Sequence, residues 1–382
     1  MRVLILGGDG YLGWPTAMHL TAAGHEVWVA DNYLRRSIAT EEDVEPLVPV
    51  PNLAERIRLW REASGHDMAC RIGDLRDWAF TDRLFAECRP EAVVHYAEQP
   101  SAPYSMLGRP QAMRTLHNNL EVTANVIFAV REHCPTAHVV KLGTMGEYGT
   151  PNIDIEEGYL DITHKGRSDT FLFPRQAGSL YHTTKIMDTD LLWFYVRTWG
   201  LRVTDLMQGP VYGLFTDETG EREDLLPFFC YDELMGTVLN RFIVQAAVGH
   251  PLTVYGKGGQ TRGFLNIKDT LKCVRLALEN PARQGELRIF NQFTETFSVN
   301  DLAGMVRAAG ASMGLEVRID HLENPRKEAE EHYYNPVATG LTELGLDPEP
   351  LTGEVITRML GFVLRHRDRV ATHRIFRNVR WA

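Results

Sequence analysis

The strongest constraint in this chain is a glycine-spaced turn between an apolar run and a helical pattern. Residues 2–6 (RVLIL) are followed by G-x-x-G-x-x-G at Gly7, Gly10 and Gly13, and by a helical stretch over 11–23. Gly24 closes that stretch, and residues 25–30 (HEVWVA) form a second apolar run ending at Asp31. Strand, turn, helix and strand within about 30 residues make a β-α-β unit. The first glycine permits the tight turn, the second lets backbone N–H groups approach a pyrophosphate, and the third allows close helix–strand contact. The helix N-terminus adds a field that favours phosphate. Asp9, Tyr11 and Leu12 complete the turn and are cofactor-binding candidates with the glycines. Asp31, with Asn32 beside it, is placed to accept hydrogen bonds from adenosine ribose hydroxyls. A carboxylate there repels a 2′-phosphate, so NAD is expected rather than NADP. Arg35 and Arg36 follow closely, and arginines in that place can bind a 2′-phosphate.

The rhythm continues. Strands are expected at 68–72, 92–96, 138–142 and 201–206, separated by helices at 53–64, 78–88, 113–132 and 180–199. This alternation predicts an α/β fold, a Rossmann-type doubly wound parallel sheet with ligands at the strand C-termini. Asp74 and Leu75, after the third strand, are candidates for the adenine end. Beyond 206 the pattern breaks, and Gly, Pro and acidic residues cluster over 209–227. Residues 1–206 are therefore assigned to an NAD-binding domain and 207–382 mainly to a smaller mixed α/β substrate lobe. A segment around 236–275 is expected to pack back onto the first domain.

Composition excludes several classes. The net charge of −10 over 382 residues argues against general binding to nucleic acid or anionic membranes. No apolar run is long enough to span a bilayer. The five cysteines are scattered without a CxxC pair, so neither a disulfide framework nor a metal site is expected. A strand pattern beginning at residue 2 leaves no room for a signal or transit peptide, and a cytoplasmic setting is expected. The arginine-bearing tail over 365–382 reads as a basic surface helix and docked end.

Tyr181 and Lys185 form Y-x-x-x-K within a helical stretch, so both project from one face. A nearby ammonium favours phenolate, and such a tyrosine can take a proton from a sugar hydroxyl as hydride leaves the same carbon. Thr144, at the end of an earlier strand, can hydrogen-bond the same hydroxyl. Together with the glycine turn, these residues resemble the extended short-chain dehydrogenase/reductase superfamily, which acts largely on nucleotide sugars. Related 4,6-dehydratases carry Asp-Glu directly after the threonine. Here Met145 and Gly146 stand there and cannot transfer protons, which leaves Glu147 as an acid–base candidate or a structural residue.

Longer strings resemble the UDP-sulfoquinovose synthase family. They are GGDGYLGW at 7–14, SAPYSM at 101–106, HNN at 117–119, KLGTMGEYGTPNIDIEEGY at 141–159 and YHTTK at 181–185. AAVGHPLTVYGKGGQTRG at 246–263, FNQFTE at 290–295 and NPRKEAEEHYYN at 324–335 carry the likeness into the substrate lobe. The resemblance implies UDP-glucose and sulfite as substrates, NAD as a regenerated cofactor, and a homodimer. It implies oxidation at C4, loss of water across C5 and C6, sulfite addition at C6 and reduction at C4. Thr144, Tyr181 and Lys185 would serve the redox step, with Met145 in the same loop and His182 as a proton carrier near C5 or C6. Arg262 and Arg326 would hold the diphosphate, and Gln99, Ser101, Gln208, Asn240 and Gln260 would add contacts to the substrate. Asn118 would face the cofactor. Two positions depart from the family pattern: Pro100 replaces an arginine and Met207 an asparagine. A sulfite-independent 5,6-dehydratase or 4-epimerase, using the same C4 oxidation, is the alternative.

Overall fold

The apolar runs become inner strands of a parallel sheet because helices cover both faces. In a computed structural model that describes all residues except 221, 325–332 and 376–382, the chain opens with β1 (Arg2–Leu6), α1 (Gly13–Ala22) and β2 (Glu26–Asp31). α2 (Leu34–Glu41), α3 (Leu53–Ser64), β3 (Ala69–Ile72), α4 (Trp78–Cys88) and β4 (Ala92–His95) follow. A short α5 (Ala102–Ser105) and a long α6 (Arg109–His133) lead to β5 (His138–Thr144). A hairpin of β6 (Tyr159–His164) and β7 (Arg167–Leu172) precedes α7 (Leu180–Trp199) and β8 (Arg202–Gln208). The second half comprises β9 (Val211–Tyr212), α8 (Val238–Ala247), β10 (Leu252–Tyr255), β11 (Thr261–Asn266), α9 (Ile267–Glu279), β12 (Leu287–Gln292), β13 (Glu295–Ser298), α10 (Val299–Ser312) and β14 (Ile319–Leu322). It ends with α11 (Gly340–Glu343) and α12 (Gly353–Arg365).

Among the described residues the main sheet has seven parallel strands in the order β12-β8-β5-β4-β1-β2-β3. Side chains alternate across it. Val3 and Ile5 join the core under α1, α3 and α9, while Leu4 and Leu6 join the core under α4, α6 and α7. The order reverses between β1 and β4, the place where such sheets open a crevice. A second core, built by α8, α10, α12 and β10, fills the smaller lobe.

The expected boundary needs correction. β12 pairs with β8 from Leu287↔Val203 to Gln292↔Gln208, and α9 lies against the first-lobe core. The segment that returns to the first lobe is thus 267–292, whereas α8, inside the expected 236–275, packs within the second lobe. The reason is register: a seventh strand is available only where it continues the parallel ladder beyond β8.

Candidate active site

A cavity of about 870 Å³ opens at the C-terminal edge of the sheet, bordered by the glycine turn, the ends of β4, β5 and β8, and the second lobe. Gly7 sits at φ +87°, and a Cβ there would lie 2.8 Å from the Tyr96 carbonyl carbon. A Cβ on Gly13 would lie 2.0 Å from the Gly7 oxygen, so only glycine lets α1 start this close to β1. The N-cap of α1, Leu12, makes no side-chain cap, whereas Asn52, Asp77, Ser179 and Asn266 cap α3, α4, α7 and α9. In the first turn Trp14 N–H donates to the Gly10 carbonyl at 3.4 Å and Pro15 has no N–H, so Gly13 is the first-turn residue that faces an anion in the cavity. These features fit a dinucleotide pyrophosphate.

Asp31 accepts hydrogen bonds from the amides of Asp9 (2.9 Å) and Tyr33 (2.6 Å), which aim its carboxylate. Burial, with the Asp9 charge second, pushes its carboxyl up to about 6. Gly7, Gly10, Tyr11, Leu12, Gly13, Asn32, Leu75 and Asn118 share the wall with it. Three other cofactor candidates lie off the wall. Asp9 is engaged by Arg36 (2.6 Å) and Arg56 (3.0 Å), and Asp74 is gripped by Arg76 at 2.6 Å. Arg36 is the third, its fork taken up by that carboxylate and by the Val50 and Pro51 carbonyls. Arg35 does border the cavity, but it donates to Cys230 Sγ at 3.3 Å and pairs with Asp232 at 3.6 Å. Both arginines thus have protein partners that a 2′-phosphate would have to displace.

At the other end, Thr144 closes β5 and Tyr181 opens α7 on the cavity wall. The Thr144 hydroxyl accepts from the Gly146 amide (3.2 Å), and the Tyr181 amide donates to Ser105 Oγ (3.1 Å). His182 borders the same space: its Nδ1 meets Ser179 Oγ at 3.0 Å. A Cβ on Gly146 would fall 2.3 Å from His182 Nε2. The glycine after Met145 therefore makes room for an imidazole beside the threonine.

Lys185 and Glu147 are placed differently from expectation. The Lys185 ammonium lies off the wall, 2.6 Å from Glu98. Burial pushes the Tyr181 phenol up, and the Glu98 and Glu147 carboxylates push it further, with Lys141 opposing. Burial, the largest cause, works against the lowering expected from Lys185, whose ammonium is paired with Glu98. Glu147 is fully buried away from the cavity, paired with Lys141 (3.3 Å) and Arg175 (3.5 Å). It accepts from the Thr144 amide at 3.2 Å, so its role is to set the threonine.

In the substrate part, Ser101, Gln208, Gln260 and Arg262 reach the wall. Gln99 and Asn240 do not. Gln99 holds Ser101 and Thr115, with its Nε2 2.8 Å from Thr115 Oγ1. Asn240 accepts from the Gly213 amide (3.3 Å) and donates to the Tyr11 hydroxyl (3.3 Å). Arg326 lies outside the described residues. Pro100 borders the cavity, while Met207 is buried in the helix-side core. Sequence reasoning missed Glu98 and Arg241. Arg241 lines the cavity, buried, with Nη2 3.3 Å from Thr253 Oγ1 and no hydrogen-bond partner for Nε. The available signals were a strand-end acid for Glu98 and a lone arginine in an otherwise uncharged helix for Arg241.

Residues 3–291 match the model of the NAD dependent epimerase/dehydratase family. The chain belongs to that family. Within it, the chain is 51% identical over 380 residues to the chloroplastic UDP-sulfoquinovose synthase of Spinacia oleracea, spanning 100% of this chain and 79% of the relative. It is 46% identical over 384 residues to the UDP-sulfoquinovose synthase of Sulfolobus acidocaldarius, spanning 100% and 98%. These identities place it among the UDP-sulfoquinovose synthases. The fold is shared with the UDP-glucose 4-epimerase of Bifidobacterium longum, solved in complex with NAD+ and UDP, at TM-score 0.71 and 20% identity over 95% and 98% of the two chains. Among the described residues no helix is long and apolar enough to cross a membrane.

The Asp31 geometry generates a pH dependence. Ribose hydroxyls bind best to the ionised carboxylate, so NAD affinity should fall as the pH is lowered through about 6. Asp31→Asn should bind NAD more weakly and lose that inflection. Titration calorimetry between pH 5 and 8 measures both, and an unchanged wild-type affinity across the range removes Asp31 from the cofactor site.

Proposed function

We propose that the protein makes UDP-sulfoquinovose from UDP-glucose and sulfite, with NAD bound and regenerated in each turnover. The observation that carries this reading is the 51% and 46% identity to UDP-sulfoquinovose synthases along the whole chain. The cavity adds Thr144, Tyr181 and His182 on a shared wall.

The cofactor supplies a reversible hydride acceptor. At C4 of glucose, Tyr181 Oη takes the hydroxyl proton while the Thr144 hydroxyl bonds the same oxygen. A positive charge brought into the cavity draws the Tyr181 phenol down towards phenolate, against the burial and carboxylates that hold it up. The 4-keto group acidifies the C5 proton. His182 Nε2, on the Gly146 side, carries that proton while hydroxide leaves C6 as water. Sulfite then takes the vacated place on C6, and the proton it brings as hydrogen sulfite passes to C5. Reduction at C4 closes a cycle in which no net electrons are consumed. Arg241 and Arg262 hold the diphosphate from the second lobe, as guanidinium forks suit phosphate oxygens.

We further infer a homodimer through α6 and α7. Phe128, Met187 and Phe194 are 37%, 42% and 49% exposed on these helices. Trp199 packs edge-on beside them, its ring 5.2 Å from that of Phe128. A second copy presenting the same apolar helices is the partner that fits. Five free cysteines support a reducing, cytoplasmic setting.

Four outcomes test these assignments. Mass spectrometry of enzyme with UDP-glucose should show UDP-sulfoquinovose only when sulfite is added. Conversion of UDP-glucose alone to an unsaturated or epimerised product would establish the sulfite-independent alternative. In the same assay Tyr181→Phe should retain NAD and lose turnover by about a hundredfold or more. Arg241→Ala and Arg262→Ala should each weaken UDP binding by about tenfold to a hundredfold, the scale of a charge-assisted bond, and leave NAD affinity unchanged. Equal loss of both ligands would mark a folding defect instead. Phe128→Glu with Phe194→Glu should halve the mass measured by light scattering, and an unchanged mass would move the interface elsewhere.

A further inference from the structure

Glu98 takes no part in proton transfer at C4, C5 or C6, yet it is an acid brought to the catalytic end of the cavity. It follows β4, its side chain is 4% exposed, and it borders the cavity while its partner Lys185 does not. Its Oε1 lies 2.6 Å from Lys185 Nζ and 3.7 Å from His95 Nε2. Burial pushes His95 down to about 4, so that ring is neutral and adds no compensating charge. Burial disfavours the Glu98 carboxylate, but Lys185 and its neighbours hold it ionised. A second acid, Asp188, lies one turn beyond Lys185 on α7, fully buried. Burial and the Glu98 charge push its carboxyl well up, against Lys185 and Lys141. The floor beside Tyr181 therefore presents its anion to the cavity and its cation behind.

We propose that Glu98 is a positioning residue that sets the redox balance of the bound dinucleotide, its carboxylate favouring the cationic oxidised nicotinamide over the neutral reduced ring. The inference rests on the NAD reading of the preceding subsection. Hydride leaves the carbon whose hydroxyl meets Tyr181, so the nicotinamide lies at this end of the cavity, beside Glu98. A fixed charge within several ångströms in a buried site discriminates between a cation and a neutral ring. The consequence is a cofactor that rests oxidised, so that hydride taken from C4 is driven back onto the sugar.

The experiment is a partition measurement that needs no turnover. Purified enzyme is exchanged against equimolar NAD+ and NADH, freed of unbound dinucleotide and denatured, and the two released cofactors are quantified. Wild type should retain mainly NAD+. Glu98→Gln should shift the bound ratio towards NADH, in part only, because Asp188 remains as a second acid beside Lys185. Glu98→Gln with Asp188→Asn should shift it by about tenfold or more. Asp188→Asn alone keeps the Glu98 carboxylate on the wall and should leave the ratio close to wild type. A double variant with the wild-type ratio overturns the proposal. So does wild-type protein that retains mainly NADH, a result that stands even if the variants do not fold. Wild type that retains neither dinucleotide would defeat the NAD reading itself.

Discussion

One buried ammonium ties the active site together. Lys141, in the middle of β5 and fully buried, donates to Thr189 Oγ1 (2.6 Å), Asp205 Oδ2 (3.1 Å), the Lys185 carbonyl (3.1 Å) and Glu147 Oε1 (3.3 Å). These partners come from α7, β8 and the turn that follows Thr144. Burying an isolated charge costs several kcal/mol, recovered only when geometry and hydrogen bonds are good, and losing one partner leaves a charge uncompensated. The cluster therefore forms as a unit. Once it forms, Glu147 fixes the Thr144 amide and α7 is held at the depth that brings Tyr181 to the wall. Glu147 is thereby tied into the architecture, its carboxylate buried off the cavity wall.

Each lobe brings charges of both signs to the cavity wall: Asp31, Glu98 and Arg35 from the first, Arg241, Arg262 and Glu233 from the second. In the proposed reading a dinucleotide brings neutral hydroxyls and a cationic ring to Asp31 and Glu98, and a nucleotide sugar brings its diphosphate to Arg241 and Arg262. An acidic protein of net charge −10 can thus bind two polyanionic ligands, because what matters is the local field in a low-dielectric cleft.

The legible parts of the sequence were those whose chemistry is local. The glycine spacing required a strand on one side and a helix on the other, and α3, α4 and α7 begin and end where their periodicity places them. Asp31 and the Tyr181 register follow from position within one element. What sequence could not show is who satisfies whom. Gln99 and Asn240 have the donors and acceptors of substrate ligands, but backbone and neighbouring hydroxyls use them first. Arg36 reads as a phosphate ligand until Asp9 is brought to it by the turn. Lys185 reads as a free ammonium until the end of β4 supplies Glu98. β12 was hidden for a related reason: its six residues make a strand only beside β8, some 80 residues earlier, and no pattern within them names that partner.

The two departures from the family pattern have unequal reach, and strand geometry decides between them. Along β8 the side chains alternate, so Gln208 faces the cavity and Met207 is packed in the core with Leu287 and Val203. A methionine there changes the filling beneath the site and leaves the wall untouched. Pro100 is on the wall, between Glu98 and Ser101, where a proline offers neither charge nor N–H. An arginine in that place would set a further cation near the Glu98–Lys185 pair, and proline leaves that pair without it. The guanidinium groups on the wall are those of Arg35, Arg241 and Arg262, so a positive field for an anionic ligand in this cavity comes from them and not from position 100.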